Sequence, residues 1–304
     1  MDPLPDSGRS RAPGAVAGST LSLHDGRRIG YAEYGPADGE PALFFPGTPG
    51  SRLRHPPEQR ADRRPHRRPA RVIVAERPGF GLSDSHVARC LLDWPSDVYE
   101  IAAGLGLERF SVVGVSGGGP YALACAYRLP DQIKGVAIVS SVGPPDIPSG
   151  LSGMPRVRRI AAWLGRHAPR LHEFVLEHRG NPQRDPEGFY RQMLAGNAPG
   201  DRAYLARPDV KAEMMRNYLE ATRQGVKGLA QEGVILSQPW GFSPADIVVP
   251  VTLWHGEADQ NVSLSAARYM AQAIPHCRAH FGPGKGHMLL WECWDEIVTE
   301  LLAS

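Results

Sequence analysis

Two kinds of hydrophobic pattern divide the chain. Near its start, Thr20–Leu23 and Arg28–Tyr34 flank the pair Asp25-Gly26, with Ile29, Tyr31 and Tyr34 set among polar neighbours. An Asp-Gly between two such runs predicts a hairpin. Four later runs, Pro41–Phe45, Val72–Ala75, Ser111–Val115 and Ile133–Ser140, are short, largely apolar and scarcely alternate. Strands of that composition are covered on both faces, as in a parallel sheet. Helical segments are predicted between them at Pro95–Gly104, opened by Asp93 or Ser96, and at Gly117–Leu129, closed by Pro130. Strand and helix in repeated succession predict an α/β, doubly wound sheet.

That rhythm stops near residue 145. No convincing strand run follows until about residue 245. Instead Val210, Met214, Tyr218 and Thr222 recur at four-residue spacing beside Met215 and Leu219, the pattern of an amphipathic helix. The earlier rhythm then resumes with Val251–His255 as strand, Ser263–Ile274 as helix, Arg278–Phe281 as strand and Trp291–Leu302 as closing helix. The simplest division is a disordered Pro-, Gly-, Ser- and Arg-rich tail over 1–18, one α/β core built from 19–144 and 246–304, and a helical cap over 145–245.

A chain of 304 residues is long enough for two average domains or for one large α/β domain with an insertion. Its net charge of +2 supplies no whole-molecule field for nucleic acid. No apolar run approaches the ~18 residues of a membrane span. The first twenty residues lack a signal peptide's apolar stretch. Cys90, Cys125, Cys277 and Cys293 form no CxxC pair, and Cys125 lies in an apolar run that reads as core. A cytoplasmic protein acting on a small apolar or amphipathic molecule is the expectation.

The chemistry begins at Gly114-Val115-Ser116-Gly117-Gly118, a G-x-S-x-G with an apolar strand leading in and a helical run leading out. A serine at such a sharp turn sits in a strained backbone, so the residues two before and two after must be small. The turn lifts Oγ above the sheet and aims the Gly117 N–H at a developing oxyanion. A phosphate-binding loop would need a Lys after the glycines, and none follows; a dinucleotide fingerprint is missing from the first strand–helix unit.

A nucleophilic serine needs a base, and the base an orienting carboxylate. Of the histidines after residue 250, His287 stands in the glycine-flanked loop Gly284-Lys285-Gly286-His287-Met288. His255 lies at a strand end and reads as packing or local hydrogen bonding, while His276 and His280 read as solvent-facing. Asp259, just past the strand ending at His255, is the candidate acid; Glu257 and Asp146 are its competitors.

Four segments, with Gly286-His287 completing the set, resemble the α/β-hydrolase superfamily in its lid-bearing, esterase-like branch. They are Phe44–Gly50 (FFPGTPG), Glu76–Asp84 (ERPGFGLSD), Gly114–Gly118 and His255–Val262 (HGEADQNV), and their order spans residues 20–304. The resemblance implies an eight-stranded core, a helical cap, no cofactor and no metal, and the N–H of Thr48 as second oxyanion donor beside that of Gly117. Ser rather than Asp in the elbow separates the chain from the epoxide-hydrolase and haloalkane-dehalogenase branches.

Two departures stand out. The family usually carries His-Gly where this chain has Pro46-Gly47; that His braces the oxyanion loop, and here the prolines at 46 and 49 are expected to stiffen it. Residues 52–71 hold eight arginines where the family has an amphipathic helix; they read as a solvated, irregular surface segment rather than a basic patch for an acidic partner. Within the cap, Trp163, Phe174, Tyr190, Met193, Tyr204, Met214, Met215 and Tyr218 divide between packing and pocket lining, and evenly spread Arg and Glu mark no head-group site.

Ester, lactone or thioester hydrolysis through an acyl-serine leads. The alternatives are perhydrolysis, C–C cleavage or a non-hydrolytic biosynthetic reaction on the same scaffold, and then a non-catalytic ligand-binding protein, which an intact Ser, Asp and His set argues against.

Overall fold

The computed structural model describes residues 18–54, 69–147 and 154–303. Eight strands form one sheet: β1 (Ser19–Ser22), β2 (Arg28–Tyr34), β3 (Glu40–Phe45), β4 (Ala70–Ala75), β5 (Phe110–Val115), β6 (Ile133–Val139), β7 (Val251–Gly256) and β8 (Cys277–Gly282). Their order is β1-β2-β4-β3-β5-β6-β7-β8. The β1–β2 and β2–β4 pairings are antiparallel and every later pairing is parallel. The predicted strands are thus present, with ends within two residues of the sequence reading.

Side chains leave the sheet alternately to two cores, as the period of a strand requires. Leu43, Phe45, Ile73 and Val112 pack against α1 (Trp94–Gly104), α2 (Gly119–Arg128) and α9 (Leu264–Ala273). Phe44, Val74, Val113 and Val139 face α10 (Leu289–Leu301). Cys125 is fully buried in the first of these cores, and burial pushes its thiol pKa well up.

Between β6 and β7 come α3 (Arg156–His167), α4 (Pro169–Arg179), α5 (Pro186–Ala195), α6 (Pro199–Leu205), α7 (Pro208–Ala221) and α8 (Lys227–Leu236). Four of them open on proline, whose fixed φ and missing N–H suit a first helical position. Tyr190, Leu205, Val210, Met214 and Tyr218 form a small core of their own with Met288. Trp163 and Phe174 are exposed instead. None of the described helices is long and apolar enough to cross a membrane.

The arginine-rich stretch needs a correction at its start. Arg52 and Arg54 are buried, not solvated: Arg52 Nη1 lies 3.0 Å from Glu76, and Arg54 Nη1 lies 2.9 Å from Glu213 with its guanidinium 3.6 Å above the Trp291 ring. Each has a carboxylate partner, which is what makes a buried arginine tolerable. Residues 55–68 and the N-terminal tail up to residue 17 lie outside the described residues.

Candidate active site

Ser116 sits where β5 breaks into α2, with φ at +53°. A left-handed conformation in a residue with a Cβ costs about 1–3 kcal/mol and survives only where its surroundings enforce it. Here they do. A Cβ on Gly114 would come within 2.7 Å of Ala122, and one on Gly118 would strike the Phe45 carbonyl, so the turn can close only on glycine.

The other two residues nominated from the sequence come to the same place. His287 Nε2 is 3.1 Å from Ser116 Oγ, and His287 Nδ1 is 2.8 Å from Asp259 Oδ2. The Asp259 carboxylate also accepts the N–H groups of Asn261 at 2.7 Å and Val262 at 3.0 Å. Burial alone would raise its pKa; the His287 imidazole, His255 and the Val262 N–H more than offset that and hold it below the ordinary value. Thr48 and Gly117 adjoin the serine: a Cβ on Gly117 would run into the Thr48 hydroxyl, and one on Gly47 would approach Ser116 Cβ to 3.2 Å.

The competitors lie elsewhere. Asp146 is exposed and pairs with Arg166 at 2.8 Å; Glu257 is exposed near Arg268. His255 is buried, its Nε2 3.8 Å from Asp259. His276 is exposed, but His280 is not simply solvent-facing, since it stacks on Trp254 at 4.0 Å and meets Glu300 at 2.8 Å.

The serine opens onto a cavity with two arms. A narrow one of about 100 Å³ is walled by Phe44, Arg54, Met193, Met214, Tyr218 and Trp291. A wide one of about 700 Å³ runs between α3, α4 and α8, past Val142, Trp163, Leu176, Leu229 and Leu236. Arg158 and Asn261 border both.

The family model described as alpha/beta hydrolase fold matches residues 41–292. The chain belongs to the α/β-hydrolase fold family. It is similar to a 2-hydroxymuconate semialdehyde hydrolase of Pseudomonas putida, 25% identical over 278 residues that cover 90% of this chain and 85% of that one. Among solved structures it resembles an esterase of Thermogutta terrifontis (TM-score 0.65, 21% identity, 95% and 98% of the two chains covered). It also resembles an enol-lactonase of Burkholderia xenovorans LB400 (TM-score 0.67, 19% identity, 94% and 100% covered). Membership of the α/β-hydrolase fold family, with hydrolases among these relatives, supports an enzyme of the hydrolase class acting on a small molecule.

In this α/β-hydrolase-fold chain, with proline at position 46, the loop that carries Thr48 is braced by a pair that the sequence did not disclose. Arg77, just beyond β4, donates Nη1 to the Pro46 carbonyl at 2.7 Å and Nη2 to the Gly47 carbonyl at 3.4 Å. Its guanidinium is clasped by Glu232 of α8, with two nitrogen–oxygen distances of 2.7 Å. The Thr48 hydroxyl donates to the same carboxylate, and Arg89 stands 3.7 Å away on its other side. Burial pushes the Glu232 pKa up, but Arg77, then Arg89 and Thr48, pull it below the usual value. The prolines are therefore not alone in stiffening this loop.

Why α8 reaches so close is visible one turn earlier. Gly79 has φ at +85°, and a Cβ there would come within 3.0 Å of Gly228 Cα. Two glycines in contact let α8 settle on the loop, and Glu232, four residues on, shares the face of Gly228. A second unforeseen partner is Asp201 of α6, whose carboxylate accepts the N–H of His287 at 2.7 Å and of Met288 at 3.0 Å. The chain around residue 200 carries no motif that announces it; only Gly286, which leaves room for that carboxylate, is a faint signal.

Proposed function

We propose that the chain is a serine hydrolase that cleaves a carboxylic ester or lactone through an acyl-Ser116 intermediate. The observation that carries this reading is the unbroken line Ser116–His287–Asp259, with hydrogen-bond distances of 3.1 and 2.8 Å, at the mouth of an apolar cavity. In the proposed cycle His287 Nε2 takes the Oγ proton as Ser116 attacks the substrate carbonyl, and Asp259 holds the imidazole by Nδ1 and stabilises the imidazolium. The negative charge that forms on the carbonyl oxygen meets the main-chain N–H groups of Thr48 and Gly117. His287 then returns its proton to the leaving alkoxide, activates a water, and the acid is released.

Helices α3 to α8 are assigned as the lid of this site, since α3, α4 and α8 supply most of the wide arm of the cavity. An apolar acyl or alcohol portion fits that arm, whose walls are chiefly aliphatic and aromatic.

A fluorophosphonate probe tests the reading. It is expected to label the wild-type protein at Ser116 and to leave Ser116→Ala unlabelled, with p-nitrophenyl ester turnover lost in the same variant. Turnover at the wild-type rate by a folded Ser116→Ala protein would remove Ser116 as nucleophile. Failure of the wild type to react with either reagent would favour a binding protein.

A further inference from the structure

We infer that Arg158 is the subsite for a carboxylate on the substrate, next to the bond that is cleaved. This rests on the serine-hydrolase reading above. Arg158 lies in the first turn of α3 and borders both arms of the cavity, together with Thr48, Ser116 and Asn261. Among the described residues its guanidinium has no hydrogen-bond or ion-pair partner. Its neighbours Arg156 and Arg159 are exposed, whereas Arg158 is half-buried at the cavity wall.

Among the described residues no carboxylate pairs with this cation. The positive end of the helix dipole disfavours it. Burial depresses its pKa, with Asp259 and Tyr218 opposing the shift only in part. The Asp259 carboxylate is already committed to His287 and to the N–H groups of Asn261 and Val262. A desolvated charge without a partner is costly, and a ligand that supplies the partner recovers that cost on binding.

The chemistry of the ligand follows from what surrounds this guanidinium. Its planar fork matches a carboxylate with two parallel hydrogen bonds. The other two arginines that line the cavity are already paired, Arg54 with Glu213 and against the Trp291 ring, and Arg166 with Asp146 at 2.8 Å. One unpaired positive charge suits a monoanion better than a phosphate dianion. The narrow arm, about 100 Å³ against about 700 Å³ for the wide one, takes the smaller portion of the substrate, which confines what lies beyond the carbonyl on that side to a short chain. The substrate is thus a short-chain acid ester or lactone, with its bulk in the wide arm and its charge at Arg158.

The test compares p-nitrophenyl hemisuccinate with its neutral isostere, p-nitrophenyl 4-methylvalerate. Wild-type kcat/KM is expected to favour the anionic ester, and Arg158→Met to lower that preference about 10- to 100-fold, the range of a hydrogen bond to a charged group. Arg158→Lys keeps the charge but loses the fork, so it should fall between the two. A second readout is independent of turnover: calorimetric titration of glutarate into Ser116→Ala, expected to weaken tenfold or more when Arg158→Met is added. An unchanged preference and unchanged glutarate affinity in a folded Arg158→Met protein would overturn the inference. Tighter binding of inorganic phosphate than of glutarate would overturn the carboxylate assignment. If neither ester turns over and the fluorophosphonate fails to react, the serine-hydrolase reading falls, while the glutarate titration still reports on Arg158.

Discussion

Strand β5 buries all six of its residues, and β4 and β6 each bury all but one; α3, on the far side of the cavity, buries only Gly165 and exposes Val157, Ile160 and Trp163. The sheet is held by apolar area removed from water, at roughly 25 cal/mol per Å². The inserted helices have a small apolar core, and their attachment to the sheet side is strongly polar. Glu213 meets Arg54, Glu220 meets Arg52, and Glu232 meets Arg77. Asn217 takes the Ser51 N–H at 2.9 Å, and Asp201 takes those of His287 and Met288. Apolar contact is tolerant of small slips, while a hydrogen bond to a main-chain group has one workable geometry. The insertion is therefore not merely stuck to the sheet: its carboxylates set the position of the very loops that surround Ser116.

Changes on the sheet side of that comparison should cost chemistry with little loss of fold. Asp259→Asn is expected to lower kcat by about 10⁴, as a wrongly oriented imidazole does in the reference triad. Its melting temperature should stay near that of the wild type, because the amide retains the size of the acid. A folded Asp259→Asn protein with wild-type turnover would dissociate Asp259 from the reaction.

Glu232→Gln tests the insertion side. It leaves the buried Arg77 without its countercharge, an insult of about 3–5 kcal/mol by analogy with broken buried pairs. If Thr48 thereby loses its place as donor, kcat falls by about 10²–10³, and KM moves little because the donor acts on the transition state. Steady-state kinetics beside a thermal melt separate the two effects. A lower melting temperature with kcat intact would mean that the polar ties only dock the helices.

The smallest effect is expected at His255, on β7 beneath Asp259. Burial holds its pKa below the ordinary 6.5, with Asp259 opposing. The unfolded chain then binds a proton that the folded one refuses. Its contribution to stability is complete above about pH 6.5 and is lost as pH falls through the folded-state value. In His255→Gln the decline of melting temperature on the acid side of 6.5 should be shallower. An identical slope would show that other groups govern acid sensitivity.

The difference between the two regions also explains what the sequence disclosed. Parallel strands covered on both faces appear as local apolar runs, so β3 to β6 and the turn at Ser116 could be read from neighbouring residues. His287 and Asp259 were reachable because each follows a strand end in a fixed chain order. The β8 strand was less distinct, since its residues are only partly buried or exposed at the sheet edge. Of the six inserted helices α7 announced itself through Val210, Met214 and Tyr218. Helix α3 carries the same kind of spacing in Val157, Ile160, Ala161 and Leu164, although Val157 and Ile160 are exposed in the structure. The polar ties were invisible for a different reason. Arg77 and Glu232 are 155 residues apart and Asp201 and His287 are 86 apart. A charge pair of that separation leaves no local pattern, and an arginine-rich run read as surface concealed two buried partners, Arg52 and Arg54.

Helix α8 both walls the wide arm of the cavity, through Leu229, Gly233 and Leu236, and carries the carboxylate that grips Thr48 and Arg77. Its register against Gly79 leaves no slack. A lineage, or a laboratory library, that sought a new substrate by shifting α8 would displace the loop beside Ser116 in the same stroke. Helix α3 bears no such obligation to the Thr48 loop. Its cavity-facing positions, Ala161, Ala162 and Trp163, are where substrate range can be retuned one residue at a time without retraining the catalyst.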